Sequence, residues 1–160
     1  MKKEIYNFLR KAREENGYET GRPTILSDGS EELSFKNGLW KYRDRWSGSK
    51  NFFGSEEILY SEEIVWINTY GGGCPDDLDV LGTDHHQVFE FLKKALCANK
   101  EPTAVRGEPF FTDVKFPGWE YFNREWKTSP KFEFRLGEEI IMYNKIIVHV
   151  CNYQVGFPDT

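Results

Sequence analysis

The chain has no long apolar run. No stretch approaches the roughly 18 to 20 residues that a membrane-spanning helix requires, and residues 1–17 alternate charged with apolar side chains where a secretory signal would carry an apolar core. A soluble, unprocessed, cytoplasmic protein with no membrane partner is the expectation. Cysteine is scarce: Cys74, Cys97 and Cys151 are widely spaced, odd in number and form no C-x-x-C pair. That pattern excludes a disulfide scaffold and predicts reduced thiols in a reducing compartment. His85 and His86, with Cys97 further on, lack the second short-spaced pair that a zinc site needs, so no metal is expected. Basic residues are short as well: 21 Lys and Arg against 26 Asp and Glu give a net charge of −5. No Lys/Arg cluster offers a phosphate-binding footprint, which argues against direct nucleic-acid binding. Gly71-Gly72-Gly73 leads into Cys74-Pro75-Asp76-Asp77, whose acids would repel phosphate, and neither G-x-S-x-G, H-E-x-x-H nor a Cys/His nucleophile arrangement occurs. Hydrolase and kinase signatures are therefore missing, and no cofactor is expected.

What the chain has in quantity is aromatic side chains: 5 Trp, 8 Tyr and 13 Phe, despite a mean hydropathy of −0.64. Disordered chains are poor in aromatics, so this one folds, and its 160 residues suit a single domain. The sequence also repeats itself. Tyr6-Asn7-Phe8-Leu9-Arg10-Lys11-Ala12 lies over Phe89-Glu90-Phe91-Leu92-Lys93-Lys94-Ala95, and residues 56–70 lie over 139–153 at the same offset. The second block pairs Glu56/Glu139, Ile58/Ile141, Tyr60/Tyr143, Ile64/Ile147, Val65/Val148 and Tyr70/Tyr153, with Gly54/Gly137 just ahead. Trp40-x-Tyr42-x-x-Arg45 meets Trp119-x-Tyr121-x-x-Arg124 at a shorter offset, which implies a small insertion in the second half, placed at residues 127–130. We read one domain, 1–160, made of two repeats, 1–74 and 84–157, joined near the glycines and proline of 71–77.

Period gives the elements of each repeat. Ile5, Phe8, Leu9 and Ala12 fall at helical spacing, and Asp84 is an N-cap candidate ahead of Val88, Phe89, Leu92, Ala95 and Leu96. Alternating aromatic and β-branched runs follow at 33–35, 39–46, 52–60 and 64–70, with a hairpin signal at Asn37-Gly38. The second repeat offers 110–114, a break at Pro117-Gly118, then 119–126, 132–143, a turn at Asn144-Lys145, and 146–153. The fold class is α+β: internally duplicated α-β-β-β-β units, antiparallel sheets with two helices, related by a pseudo-twofold. The sheets either face each other or join edge to edge, and the helices either cover the outside or fill the concavity. A cleft along the pseudo-twofold axis is the natural binding place.

Period two sets Glu56, Ile58 and Tyr60 on one face, and Glu139, Ile141 and Tyr143 on its equivalent. Two carboxylates near a shared axis could have their pKa values driven apart into acid and base roles. The plainer alternative is that each Glu braces a bulge or pairs with Arg45 or Arg124. Trp66, Asn68 and Tyr70 share a face, as do His149, Cys151 and Tyr153; with Trp40, Tyr42, Trp119 and Tyr121 they form a store of polar-tipped aromatics suited to a cation or a planar ring. The plainer alternative here is core packing. His149 stands where the first repeat has Trp66, so the halves have diverged there, although a lone strand His is more often structural.

The blocks Phe53-Gly54-x-Glu56, Val65-Trp66-x-Asn68-x-Tyr70-x-Gly72, Arg106-Gly107 and Phe132-x-Phe134-x-x-Gly137-x-Glu139-x-Ile141, with Val148, Tyr153 and Phe8-Leu9-x-x-Ala12, resemble a bacterial family of unknown function. In that family the domain occurs alone or behind a helix-turn-helix of the Xre/Cro type. The resemblance implies an effector-binding role and no catalytic residues. Because this chain starts at the domain's first helix, any regulatory role is expected to run through a partner. The function expected is a non-catalytic small-molecule-binding or sensor-like domain whose ligand contacts are Trp40, Glu56, Trp66, Tyr70, Trp119, Glu139, His149 and Tyr153. An enzyme using Glu56 and Glu139, and an interaction domain or homodimer using a sheet edge or aromatic patch, are the alternatives.

Overall fold

Helical spacing produces the two expected helices. A computed structural model of the chain describes residues 1–16, 21–127 and 134–159. Helix α1 (Lys2–Asn16) buries Ile5, Phe8, Leu9 and Ala12, and α2 (His85–Ala98) buries Val88, Phe91, Leu92 and Ala95, the i, i+3, i+4, i+7 stripe of a one-sided helix. Asp84 caps α2, its side chain accepting from the Gln87 amide at 2.9 Å. Residues 128–130 of the insertion placed at 127–130, and the start of the strand at 132, lie outside the described residues.

The alternating runs form strands β1 (Thr24–Ile25), β2 (Glu31–Asn37), β3 (Trp40–Ser47), β4 (Asn51–Tyr60), β5 (Glu63–Gly73), β6 (Phe110–Phe111), β7 (Trp119–Lys127), β8 (Phe134–Tyr143) and β9 (Ile146–Gly156). All belong to one antiparallel sheet of order β1-β2-β3-β4-β5-β9-β8-β7-β6, so of the two arrangements left open above the strands join edge to edge. Ser61 and Glu62 in the β4–β5 turn, and Asn144 and Lys145 in the β8–β9 turn, all have positive φ, the handedness that matches strand twist in a two-residue hairpin. Each of these hairpins has a register shift, at Ile58/Leu59 and at Ile141/Met142.

Gly71, Gly72 and Gly73 do not form a linker. They extend β5 along β9, opposite Asn152, Cys151 and Val150. A Cβ on Gly72 would stand 2.3 Å from the Val150 carbonyl oxygen and one on Gly71 2.5 Å from the Phe53 ring, so the seam is close-packed because side chains are missing there. The turn to α2 comes later, through a 3-10 segment at Leu78–Leu81.

Both helices pack on one face of the sheet. α1 closes a core of Tyr42, Ile58, Trp66, Tyr153 and Val155, and α2 a core of Trp119, Tyr121, Ile141 and Val148. Matching contacts recur: Phe8 to Trp40 at 5.5 Å and Phe91 to Trp119 at 5.4 Å, Trp40 to Tyr60 at 4.8 Å and Trp119 to Tyr143 at 4.9 Å. No helix among the described residues is long and apolar enough to cross a membrane.

Candidate functional site

Under the helices the sheet face carries a line of buried polar groups. Strand register sets Asp44 opposite Glu56 and Glu56 opposite Asn68, while Glu139 lies opposite Cys151. Asp44, Glu56, Asn68 and Glu139 are all buried, and buried charges need partners.

Glu56 finds several. Arg13, from α1, donates through Nε to Oε1 at 3.0 Å and through Nη2 to Oε1 at 2.8 Å and Oε2 at 2.6 Å. Tyr42 donates its hydroxyl to Oε1 at 2.9 Å and Asn68 its amide to Oε2 at 2.8 Å. Burial pushes the Glu56 pKa up, but Arg13, aided by Arg106 and Asn68, more than reverses this and holds the carboxyl well below the ordinary range. Glu139 has the corresponding pair of partners: the Tyr121 hydroxyl donates to it, and Arg106 Nε approaches Oε2 at 3.3 Å. The arginines are therefore Arg13 and Arg106, not the Arg45 and Arg124 suggested by sequence; Arg45 pairs instead with Asp28.

Arg106 comes from the loop after α2. Asn99 donates to its carbonyl oxygen at 2.8 Å, and Gly107 follows with its amide donating to the Tyr121 hydroxyl at 3.1 Å. A Cβ at residue 107 would meet the Tyr121 ring at 2.6 Å, so only glycine lets the loop descend this far. The guanidinium then lies over the Tyr70 ring at 5.1 Å and the Tyr153 ring at 5.5 Å, within cation–π range. Those two tyrosines face each other across the β5–β9 seam. Each fills space left by a glycine on the neighbouring strand: a Cβ on Gly54 would strike the Tyr70 hydroxyl at 2.6 Å, and one on Gly137 the Tyr153 ring at 2.0 Å.

Asp44 is the exception in this line. Only 2% exposed, it accepts a hydrogen bond from the Tyr70 hydroxyl at 2.6 Å. Burial, reinforced by the Glu56 charge, raises its pKa from 3.8 to about 7 against the opposing pull of Tyr70, Arg106 and Arg13. At the corresponding place, Tyr153 donates to Asn123 at 2.8 Å, so a carboxyl in one setting is an amide in the other.

A cleft of about 360 Å³ opens beside Asp44. Leu33, Trp46, Phe52 and Tyr70 come from the sheet and Phe89 and Leu92 from α2, with Asp44, Arg106, Glu139 and Cys151 at its polar end. Of the ligand contacts expected from sequence, Tyr70 and Glu139 border this cleft. Trp66 and Trp119 are core, Trp40 packs between Phe8 and Tyr60, and Tyr153 is covered by Arg106. Glu56 is tied to Arg13. His149 is buried, stacked on Phe52 at 5.8 Å.

The residues missed by sequence reasoning are Asp44, Arg13, Arg106, Phe52 and Phe89. The signal for Asp44 was present: it falls on the same face as Trp40 and Tyr42, in the segment Trp40-x-Tyr42-x-Asp44-Arg45 whose pattern recurs as Trp119-x-Tyr121-x-Asn123-Arg124.

Each Glu has its own arginine and tyrosine: Arg13 and Tyr42 for Glu56, Arg106 and Tyr121 for Glu139. Cys74 Sγ lies 3.9 Å from His149 Nδ1, but burial pushes the Cys74 thiol up to about 11 and the His149 imidazole down to about 4. Both are thereby neutral near pH 7, which is the opposite of an activated thiolate. No group of three or more His, Cys, Asp or Glu side chains able to hold a metal ion is found among the described residues.

No curated protein and no solved structure matches the chain. A family match covers residues 44–157, taking in Asp44, Glu56, Tyr70, Arg106 and Glu139 but not α1 with Arg13. With well over half its length matched, the chain belongs to the family described as a domain of unknown function, DUF5680.

Proposed function

We propose that this domain is a non-catalytic small-molecule-binding or sensor-like module, and that the cleft between α2 and the sheet is where it holds its ligand. The observation that carries the reading is the cleft itself: about 360 Å³, walled by Leu33, Trp46, Phe52, Phe89 and Leu92, with Asp44, Tyr70, Arg106 and Glu139 among its polar lining. That is the usual make-up of a ligand pocket. The contact set is Asp44, Tyr70 and Arg106 with the aromatic walls, in place of the tryptophans favoured by sequence.

The domain is further read as two repeats, 1–74 and 84–157. The matched Tyr42–Glu56 and Tyr121–Glu139 hydrogen bonds, the matched register shifts and the matched aromatic pairs support this. The resemblance to domains that occur with Xre/Cro regulators favours a cytoplasmic effector role exercised through a partner.

A thermal-shift screen against a metabolite library tests the binding role, with Ser49→Trp as the control. Ser49 is exposed on the rim of the cleft, so an indole there fills the mouth without entering the core. A ligand present at about 100 times its Kd adds about 2.7 kcal/mol, or several degrees in Tm. The expected result is at least one compound that shifts the native protein and not the variant. A library without hits, or hits indifferent to Ser49→Trp, would remove the proposal's support.

A further inference from the structure

We propose that the cleft takes a small organic ammonium ion, its aromatic or apolar body between Phe52, Phe89 and Leu33 and its positive charge on Asp44, and that binding drives a proton off Asp44. This rests on the ligand-binding reading above and names the class of ligand.

The first ground is a charge count. Among the described residues, the buried polar line holds three carboxyls, Asp44, Glu56 and Glu139, and two guanidiniums. Arg13 is committed to Glu56 by three hydrogen bonds and Arg106 is paired with Glu139. Asp44 is the carboxyl left over. When it is ionised the cluster carries one net negative charge out of water, and when it is protonated the cluster is neutral. An ammonium ion in the cleft supplies the missing charge and takes the proton's place.

The second ground is the Asn123 position. Tyr153 donates to Asn123 at 2.8 Å as Tyr70 donates to Asp44 at 2.6 Å. An amide meets the architectural need for an acceptor at much lower cost than a buried acid. The carboxyl at residue 44 is thus more than the fold requires, and it stands beside the cleft while Asn123 does not border it.

The third ground is the set of groups around it. Glu56 on β4 and Tyr70 on β5 adjoin Asp44, Arg106 and Glu139 approach from the loop and from β8, and Arg13 reaches in from α1. Cys151 on β9, Glu31 on β2, and His85, His86 and Lys93 on α2 complete the cleft's titratable lining. Glu31 offsets Lys93, Glu139 offsets Arg106, and Asp44 again remains. Phe52, Phe89 and Tyr70 line the same cleft, and aromatic rings attract cations. An anion would meet Asp44 and Glu139 with Arg106 already engaged.

Calorimetric and NMR titrations at about pH 6 and about pH 8 test this with 2-phenylethylammonium, its neutral isostere 2-phenylethanol and the anion 3-phenylpropanoate. Titration of one carboxyl near neutrality makes the ammonium bind about tenfold more tightly at the higher pH. The alcohol binds more weakly and without that trend. Asp44→Asn, which copies the residue at 123, removes both the preference and the pH dependence. Tyr70→Phe takes a hydrogen bond from the carboxylate and moves the pH profile upward, an effect that loss of packing alone would not give. Equal binding of ammonium and alcohol with Asp44→Asn neutral overturns the inference and leaves a ligand cleft standing. Preference for the carboxylate also overturns it. No response to the ammonium overturns it whether or not a library yields another ligand; the broader reading falls as well only if the library is empty or its hits are indifferent to Ser49→Trp.

Discussion

Replacing Asp44 by Asn should stabilise the protein, and by an amount that grows with pH. The Asp44 pKa is raised from 3.8 to about 7 by burial and by Glu56. The folded state therefore keeps a proton that the unfolded chain has already lost, and native stability falls as pH climbs between those two values, levelling off above about 7. One pKa unit corresponds to about 1.4 kcal/mol. Between about pH 5 and about pH 8 this single group takes about 3 kcal/mol from the native protein. Asn carries no such proton, and the Asn123 counterpart shows that an amide accepts a tyrosine hydroxyl in this setting. Urea unfolding of both proteins at several pH values measures the difference directly, since all other titrations cancel to first order. The gap between variant and native protein should widen by about 3 kcal/mol across that range. A gap that stays constant, or narrows as pH rises, would refute the account of Asp44 as an unneutralised buried acid.

Arg106→Met should strip Glu139 of its cationic partner while keeping much of the side chain's bulk; truncating one member of a buried pair costs about 3–5 kcal/mol, readable as a lower denaturation midpoint at unchanged m-value. Gly137→Ala should be among the most damaging small substitutions, because the new methyl lands 2.0 Å from the Tyr153 ring. The ring must leave the seam, with a loss of about 1–3 kcal/mol for overpacking, whereas Gly38→Ala, in a turn where nothing lies within 4 Å, costs only the left-handed backbone penalty of about 1 kcal/mol.

Much of the fold was legible because periodicity is a local signal. Ile5, Phe8, Leu9 and Ala12 announce α1, and the alternation through Trp40 and Tyr42 announces β3. The turn at Asn144-Lys145 was also readable. Strand β1 and the 3-10 segment were not, since two and four residues are too few to display a period. The glycines at 71–73 misled: three in a row usually punctuate, but here they permit close approach of two strands. The site was harder. Trp40, Trp66 and Trp119 looked like ligand surface because Trp suits that role, yet the same area is worth more in the core. The arginines that hold the two buried glutamates arrive from a helix and a loop, Arg13 at 43 residues' separation from Glu56, and no local pattern encodes such a meeting. Asp44 was within reach, as the one acid in the segment 40–45, whose pattern recurs at 119–124 with Asn123 in its place.

Both margins of the nine-stranded sheet are blunted. At one side β1 contributes only Thr24 and Ile25, and farther along β2 the Asn16 side chain occupies the Ser34 carbonyl. At the other, β6 contributes only Phe110 and Phe111, and the next amide on β7, at Asn123, is already spent on the Pro109 carbonyl. A neighbouring chain seeking a backbone track to zip onto meets a short stub and then a plug at either flank, the safeguard by which extended sheets escape fibre-like stacking.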